Sequence, residues 1–157
     1  MRQENVVSVS RYVTRERVHI DRIATAWAIR RFVDPQATFA FVERERDPGS
    51  LEGTAFDMRG SDLRHRDGKV TFEVLLERHG LRDAALRRMA EIVHAVDTLE
   101  GDMPEAVGVG AVFDGIRDGL ATDDARMEAG FAVCDALYAH CGGARRIHRA
   151  LEQRRRS

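Results

Sequence analysis

The apolar pattern changes period near the middle of the chain: short β-branched runs broken by turns come first, and helical stripes follow. VVSVSRYVT at 6–14 is apolar and β-branched up to Arg11, which predicts a buried strand running into the loop RERVHID. From Ile23 to Val33 the apolar positions cover one broad helical face, and Asp34-Pro35 ends that helix because the residue before proline avoids the helical region. TFAFVE at 38–43 reads as a second strand. DPGSLEG is turn material, and TAFDMRG at 54–60 reads as a short third strand ending in Asp57 and a glycine turn. Strand, helix, strand, short connection and strand predict a small parallel sheet.

The second half reads as helical throughout. A short helix starts near Thr71, runs through Leu76 and ends at Gly80, and Asp83 caps another that reaches about Asp97. Pro104 suits the first position of a third helix. A fourth spans Asp123 to Cys141, with Met127, Phe131, Cys134, Leu137, Tyr138 and Cys141 on one stripe, which assigns both cysteines to the core. Gly108, Gly110, Gly115 and Gly119 lack the spacing of a dinucleotide fingerprint and follow no strand, so close helix packing is their expected use. The segment from Gly143 to Ser157 reads as a polar, basic tail, with Arg154, Arg155 and Arg156 at a frayed, solvated end. The expected fold is therefore α/β, a small parallel sheet in the N-terminal half followed by a helical C-terminal half, in a single domain.

Composition narrows the function classes. The 157 residues suffice for one core, and 43% hydrophobic with 32% charged residues is ordinary for a water-soluble globular chain. A formal net charge of −1 gives no general basic field, so nucleic acid is not an expected partner. No apolar run reaches the roughly 18 residues that span a bilayer, and residues 1–20 lack the apolar block of a signal peptide, so a cytoplasmic protein is expected.

The chemistry starts at VHIDRIATAWAIRRFV, residues 18–33. A helix N-cap accounts for Asp21 by itself but leaves His19 unexplained. Both stand in the loop between a first strand and a first helix, where open α/β sheets bind ligands. Asp57, at the end of the third strand, would be carried to the same sheet edge, and His65 follows in LRHRDG, where the alternative is a solvated loop histidine. On the helix from Asp83, Leu86, Met89, Ala90, Val93 and Val96 define the apolar face; Asp97 falls near its middle and His94 on its flank. A carboxylate there must be paired, protonated or metal-bound, and a buried ion pair with an arginine is the alternative to a ligand. His19, Asp21, Asp57, His65, His94 and Asp97 thus form a candidate imidazole–carboxylate site. Such donors suit a divalent first-row metal (Mn, Fe or Zn) and carry no thiolate.

The segments RYVTRERVHIDRIATAWAIRRFVDPQATFAFV, FDMRGSDLRHRDGKVTFEVLLERHGL, LRRMAEIVHAVDT and EAGFAVCDALYAHC resemble the C-terminal domain family of the chromate-resistance protein ChrB, also known as the chromate resistance exported protein family. The likeness spans about residues 11–141 and is most specific from His19 through Trp27 and Arg30-Arg31 to Asp34-Pro35. It implies an accessory or regulatory role in the bacterial response to chromate. Longer family members carry an additional N-terminal domain. The family often has Cys-Pro before the tryptophan, whereas Thr25-Ala26 precede Trp27 here, so no thiol stands there to reduce chromate. The order His-x-Asp, Asp57, His65 and Asp97 is also similar to that of DHH-type metal-dependent phosphoesterases, although Arg64-His65-Arg66 replaces their paired histidines.

Two function classes follow. One is a metal-binding sensor or accessory protein of chromate or oxidative stress, with Arg22, Arg30 or Arg31 holding an oxyanion such as chromate or phosphate. The other is a metal-dependent enzyme, a DHH-like phosphoesterase or a redox enzyme acting on superoxide.

Overall fold

The computed structural model describes residues 10–156. Three parallel strands, β1 (Arg11–Arg15), β2 (Thr38–Val42) and β3 (Thr54–Ala55), form a sheet in the order β2-β1-β3. Arg11 pairs with Thr38 and Tyr12 with Thr54, which sets the register on the two sides of β1. Six helices accompany it: α1 (Ile20–Ala28), α2 (Thr71–Arg78), α3 (Ala84–Thr98), α4 (Ala106–Gly119), α5 (Asp123–Tyr138) and α6 (Ala144–Arg156). The expected class, a small parallel sheet followed by a helical half, is the one observed.

Several boundaries differ from the sequence reading, each for a local reason. The part of the first strand before Ser10 lies outside the described residues. The third strand is only two residues long because Asp57 turns into the left-handed region at φ 48°; Phe56 still donates its N–H to the Val13 carbonyl, and there the ladder stops. The third expected helix starts at Ala106 rather than at Pro104, which lies in the turn before it. The fourth ends at Tyr138 and passes through a π-helical turn, Ala139–Gly143, where Gly142 takes φ 114°. The basic tail is helical: α6 seats Ile147 against the core, and Arg146 pairs with Asp83 at 2.9 Å while its guanidinium lies over the Phe32 ring.

Helix α1 is the centre of the fold. Every residue in it except Arg22 is buried, more than the one broad face expected from its pattern, because α2, α3 and α5 all pack on it. A small residue lets α5 approach: a Cβ on Gly130 would stand 2.4 Å from Ile23 Cγ2. The other glycines do less than expected. Gly110 faces Val96, but Gly108, Gly115 and Gly119 face open space. Cys134 is buried and Cys141 half-buried, both free thiols on the core side, and burial pushes both thiols up. Trp27 is fully buried against Phe32, Phe72 and Tyr138, and its indole N–H donates to Asp135 at 2.7 Å.

Candidate functional site

In the order β2-β1-β3, the chain leaves β1 for a neighbour on one side and returns on the other. The loops after β1 and β3 therefore open a crevice at the carboxyl edge of the sheet, the place where open parallel sheets bind ligands. The β1–α1 loop is held from below. The Asp123 carboxylate accepts the backbone N–H groups of Arg17 and Val18 at 3.0 and 2.9 Å and is itself paired with Arg126. His19 occupies the N-cap position of α1 in an extended conformation without a side-chain cap.

Asp21 does not cap its own helix. It lies in the first turn of α1 and points at the N-terminus of α2, where its two oxygens accept the backbone N–H groups of Thr71 (3.0 Å) and Phe72 (2.9 Å). A carboxylate is favoured there because the free N–H groups at a helix start carry partial positive charge. The Thr71 hydroxyl donates to Asp57 at 2.8 Å, and Arg22 lies 3.2 Å from the other Asp57 oxygen. Four segments are thereby tied together: the start of α1, the β3 exit, the start of α2 and, through His65, the end of α3.

His65 is the hub. Its Nε2 is 2.8 Å from Asp21, 3.4 Å from Asp97 and 3.7 Å from Asp57. Three carboxylates around one imidazole raise its pKa to about 9; the Asp21 hydrogen bond is the main cause, burial works against it, and the charges of Asp21, Asp57 and Asp97 add to it. Two of the carboxylates are raised as well. Burial, followed by the neighbouring Asp21 charge, lifts Asp57 to about 6 despite Arg22, Thr71 and His65, and burial followed by Asp21 raises Asp97 as well. Asp97 therefore faces an imidazole rather than the arginine partner considered as the alternative.

One donor atom from each of Asp21, Asp57 and His65 falls within 4.8 Å of the others. Metal–ligand bonds of about 2.0–2.2 Å place opposite donors roughly 4 Å apart, so small side-chain adjustments would enclose an ion. Metal and proton would compete for His65 Nε2, since a ligating imidazole must give up its proton there.

The other expected site residues separate. His19 Nε2 pairs with Asp114 of α4 at 2.9 Å, beside the cluster and close enough to Asp97 to act on its charge. His94 pairs through Nδ1 with Glu73 and lines a different cavity of about 830 Å³ between α2 and α3, outside the groups around His65. Arg22 alone of the three arginines expected to hold an oxyanion is at the crevice. Arg30 lies over the rings of Phe39 and Phe131 and donates to the Ala37 carbonyl, while Arg31 makes a two-point pair with Asp135. Both are on another wall of the molecule. Thr71 is the functional residue that the sequence reading used only as a helix start; its signal was a β-branched hydroxyl residue following LRHRDGKV at a helix N-terminus.

A cleft of about 530 Å³ adjoins the cluster, with Asp57 and His65 on its wall. The larger cavity at His94 is also lined by charged groups, among them Glu73, Glu77 and Glu91, but the imidazole approached by three carboxylates stands at the smaller cleft.

Fold and site together define an α/β domain with an imidazole–carboxylate cluster at the switch point of a short parallel sheet. The chain belongs to the family described as ChrB, C-terminal domain, which it matches over residues 12–141. It is 39% identical over 137 residues to Protein ChrB of Cupriavidus metallidurans, an alignment that takes in 86% of this chain and 42% of that protein. The chain thus spans less than half the length of that relative. No solved structure matches it.

Proposed function

We propose that this domain holds one divalent first-row metal ion at Asp21, Asp57 and His65, with Asp97 beside them, and acts as a metal-binding sensor or accessory protein in the chromate response. The observation that carries the metal reading is the approach of three carboxylates, from α1, the β3 exit and α3, to a single imidazole nitrogen. An oxygen-rich set with one nitrogen favours manganese or iron(II) over zinc. The family relation supports the chromate role. An ion there would join the β1–α1 loop, the β3–α2 loop and α3, and so make their relative placement depend on metal.

The test is metal analysis of protein purified without chelator, followed by titration of stripped protein with Mn(II), Fe(II) and Zn(II). About one ion per chain is expected, with occupancy lost in His65→Ala. A wild-type chain that takes up none of the three at pH 8 overturns the reading.

A further inference from the structure

We infer that the cleft beside the cluster binds a small molecule carrying a diphosphate. Five arginines line it: Arg15 at the end of β1, Arg22 in α1, Arg44 after β2, and Arg59 and Arg64 after β3, against the carboxylates of Glu45 and Asp57 alone. Because all three strands end at this edge, residues far apart in sequence bring their guanidiniums to one place.

The described internal partners neutralise only Arg22. Arg22 pairs with Asp57, and Arg64 donates to the Ser61 carbonyl at 3.2 Å. Among the described residues, Arg15, Arg44 and Arg59 have no side-chain hydrogen bond or ion pair, and the Arg15 Nε is buried with no partner at all. Arg15 is partly exposed, but that nitrogen is out of water. A buried guanidinium N–H without an acceptor calls for one from outside the protein.

The size and lining of the cleft select the ligand class. Guanidiniums match the paired oxygens of phosphate groups, and two or three of them satisfy one tetrahedral oxyanion. Four of the five, all but the Asp57-paired Arg22, have no carboxylate partner among the described residues, and four exceed that need. A volume of about 530 Å³ falls in the range of roughly 300–1,000 Å³ for small-molecule sites and leaves a single oxyanion loose. Met58 is the one apolar side chain in the lining, so the charged end of the ligand makes most of the contacts. The arginines would hold such a ligand with or without a metal at His65.

The experiment is calorimetric titration of the full chain, with chelator and again with Mn(II), using inorganic phosphate, inorganic pyrophosphate and ADP at matched ionic strength. Pyrophosphate is expected to bind at least tenfold more tightly than phosphate in chelator, and comparable ADP affinity would extend the site to esterified diphosphates, whereas pyrophosphate alone would restrict it to the free ion. Arg15→Gln and the exposed Arg44→Gln are each expected to weaken pyrophosphate at least fivefold. Arg149→Gln, on exposed α6, should leave it unchanged. Thermal melts check that each variant is folded. Absence of pyrophosphate binding at millimolar concentration, or equal weakening in Arg149→Gln, overturns the inference. Loss of metal binding with pyrophosphate binding retained would overturn only the metal reading.

Discussion

His65 Nε2 lies 2.8 Å from the Asp21 oxygen that also receives the Thr71 backbone N–H at 3.0 Å. One carboxylate thus starts α2 and anchors the hub of the site. Asp21→Ala removes a helix cap and the partner of a charged imidazole at once. In chelator it should destabilise the fold by about 1–3 kcal/mol, the usual range for stranding buried hydrogen-bonding groups. Urea melts measure this, and a loss below ~0.5 kcal/mol would show that α2 does not depend on Asp21.

The raised pKa of His65 gives a pH dependence of definite sign. A group whose folded value is raised from 6.5 to about 9 adds stability that is fully present below pH 6.5 and is lost as pH rises through 9. The side chain is half exposed, so the effect on stability is small and is better followed through the ring itself. In metal-free protein the His65 Hε1 resonance should titrate near 9, and apparent metal affinity should rise across the same interval as the proton leaves. A midpoint near 6.5 would mean that the three carboxylates do not act on it.

Asp135 provides the structural contrast. It accepts from Trp27 and from two nitrogens of Arg31, whose side chain is 8% exposed. Asp135→Ala strands that arginine and should cost about 3–5 kcal/mol in a thermal or urea melt. Metal affinity of the folded fraction should not change, and a matching loss would tie this wall to the site.

How far the sequence reading reached depends on whether a residue's role is local. The phase of α3 placed Asp97 on the inner face, and the structure puts it 3.4 Å from His65, because helical periodicity fixes direction whatever the surroundings. Asp21 was legible as a capping residue, but the helix it caps begins fifty residues later, which no local spacing reveals. Arg22, Arg30 and Arg31 looked alike in sequence; only the packing of α5 and β2 shows that two of them are held by Asp135 and by aromatic rings. The tail read as polar and basic with a frayed, solvated end, yet one buried isoleucine and the Arg146–Asp83 pair accompany a helix there. Asp114, the partner of His19, arrives from α4, and Glu73, the partner of His94, from α2; both contacts are tertiary.

Asp97→Asn separates ligand from ion-pair partner. The amide keeps the shape and is a poor ligand for a hard cation, so metal affinity should fall on the order of 10–100-fold. The chelated variant should melt within ~1 kcal/mol of the chelated wild type, since Asp97 has a raised pKa and its change strands no arginine. A variant that melts far below chelated wild type, with unchanged metal affinity, would make Asp97 purely structural.

The most direct measurement is a ¹H–¹⁵N spectrum of the stripped chain titrated with substoichiometric Mn(II), whose unpaired electrons broaden nearby amides first. The metal reading requires early and selective loss of the signals of Asp21, Asp57, His65, Thr71 and Asp97, with Glu73, His94 and the Arg31–Asp135 wall lost later, and no such pattern in His65→Ala. Broadening centred on His94 and Glu73, or spread over exposed acidic residues with none at His65, would contradict it.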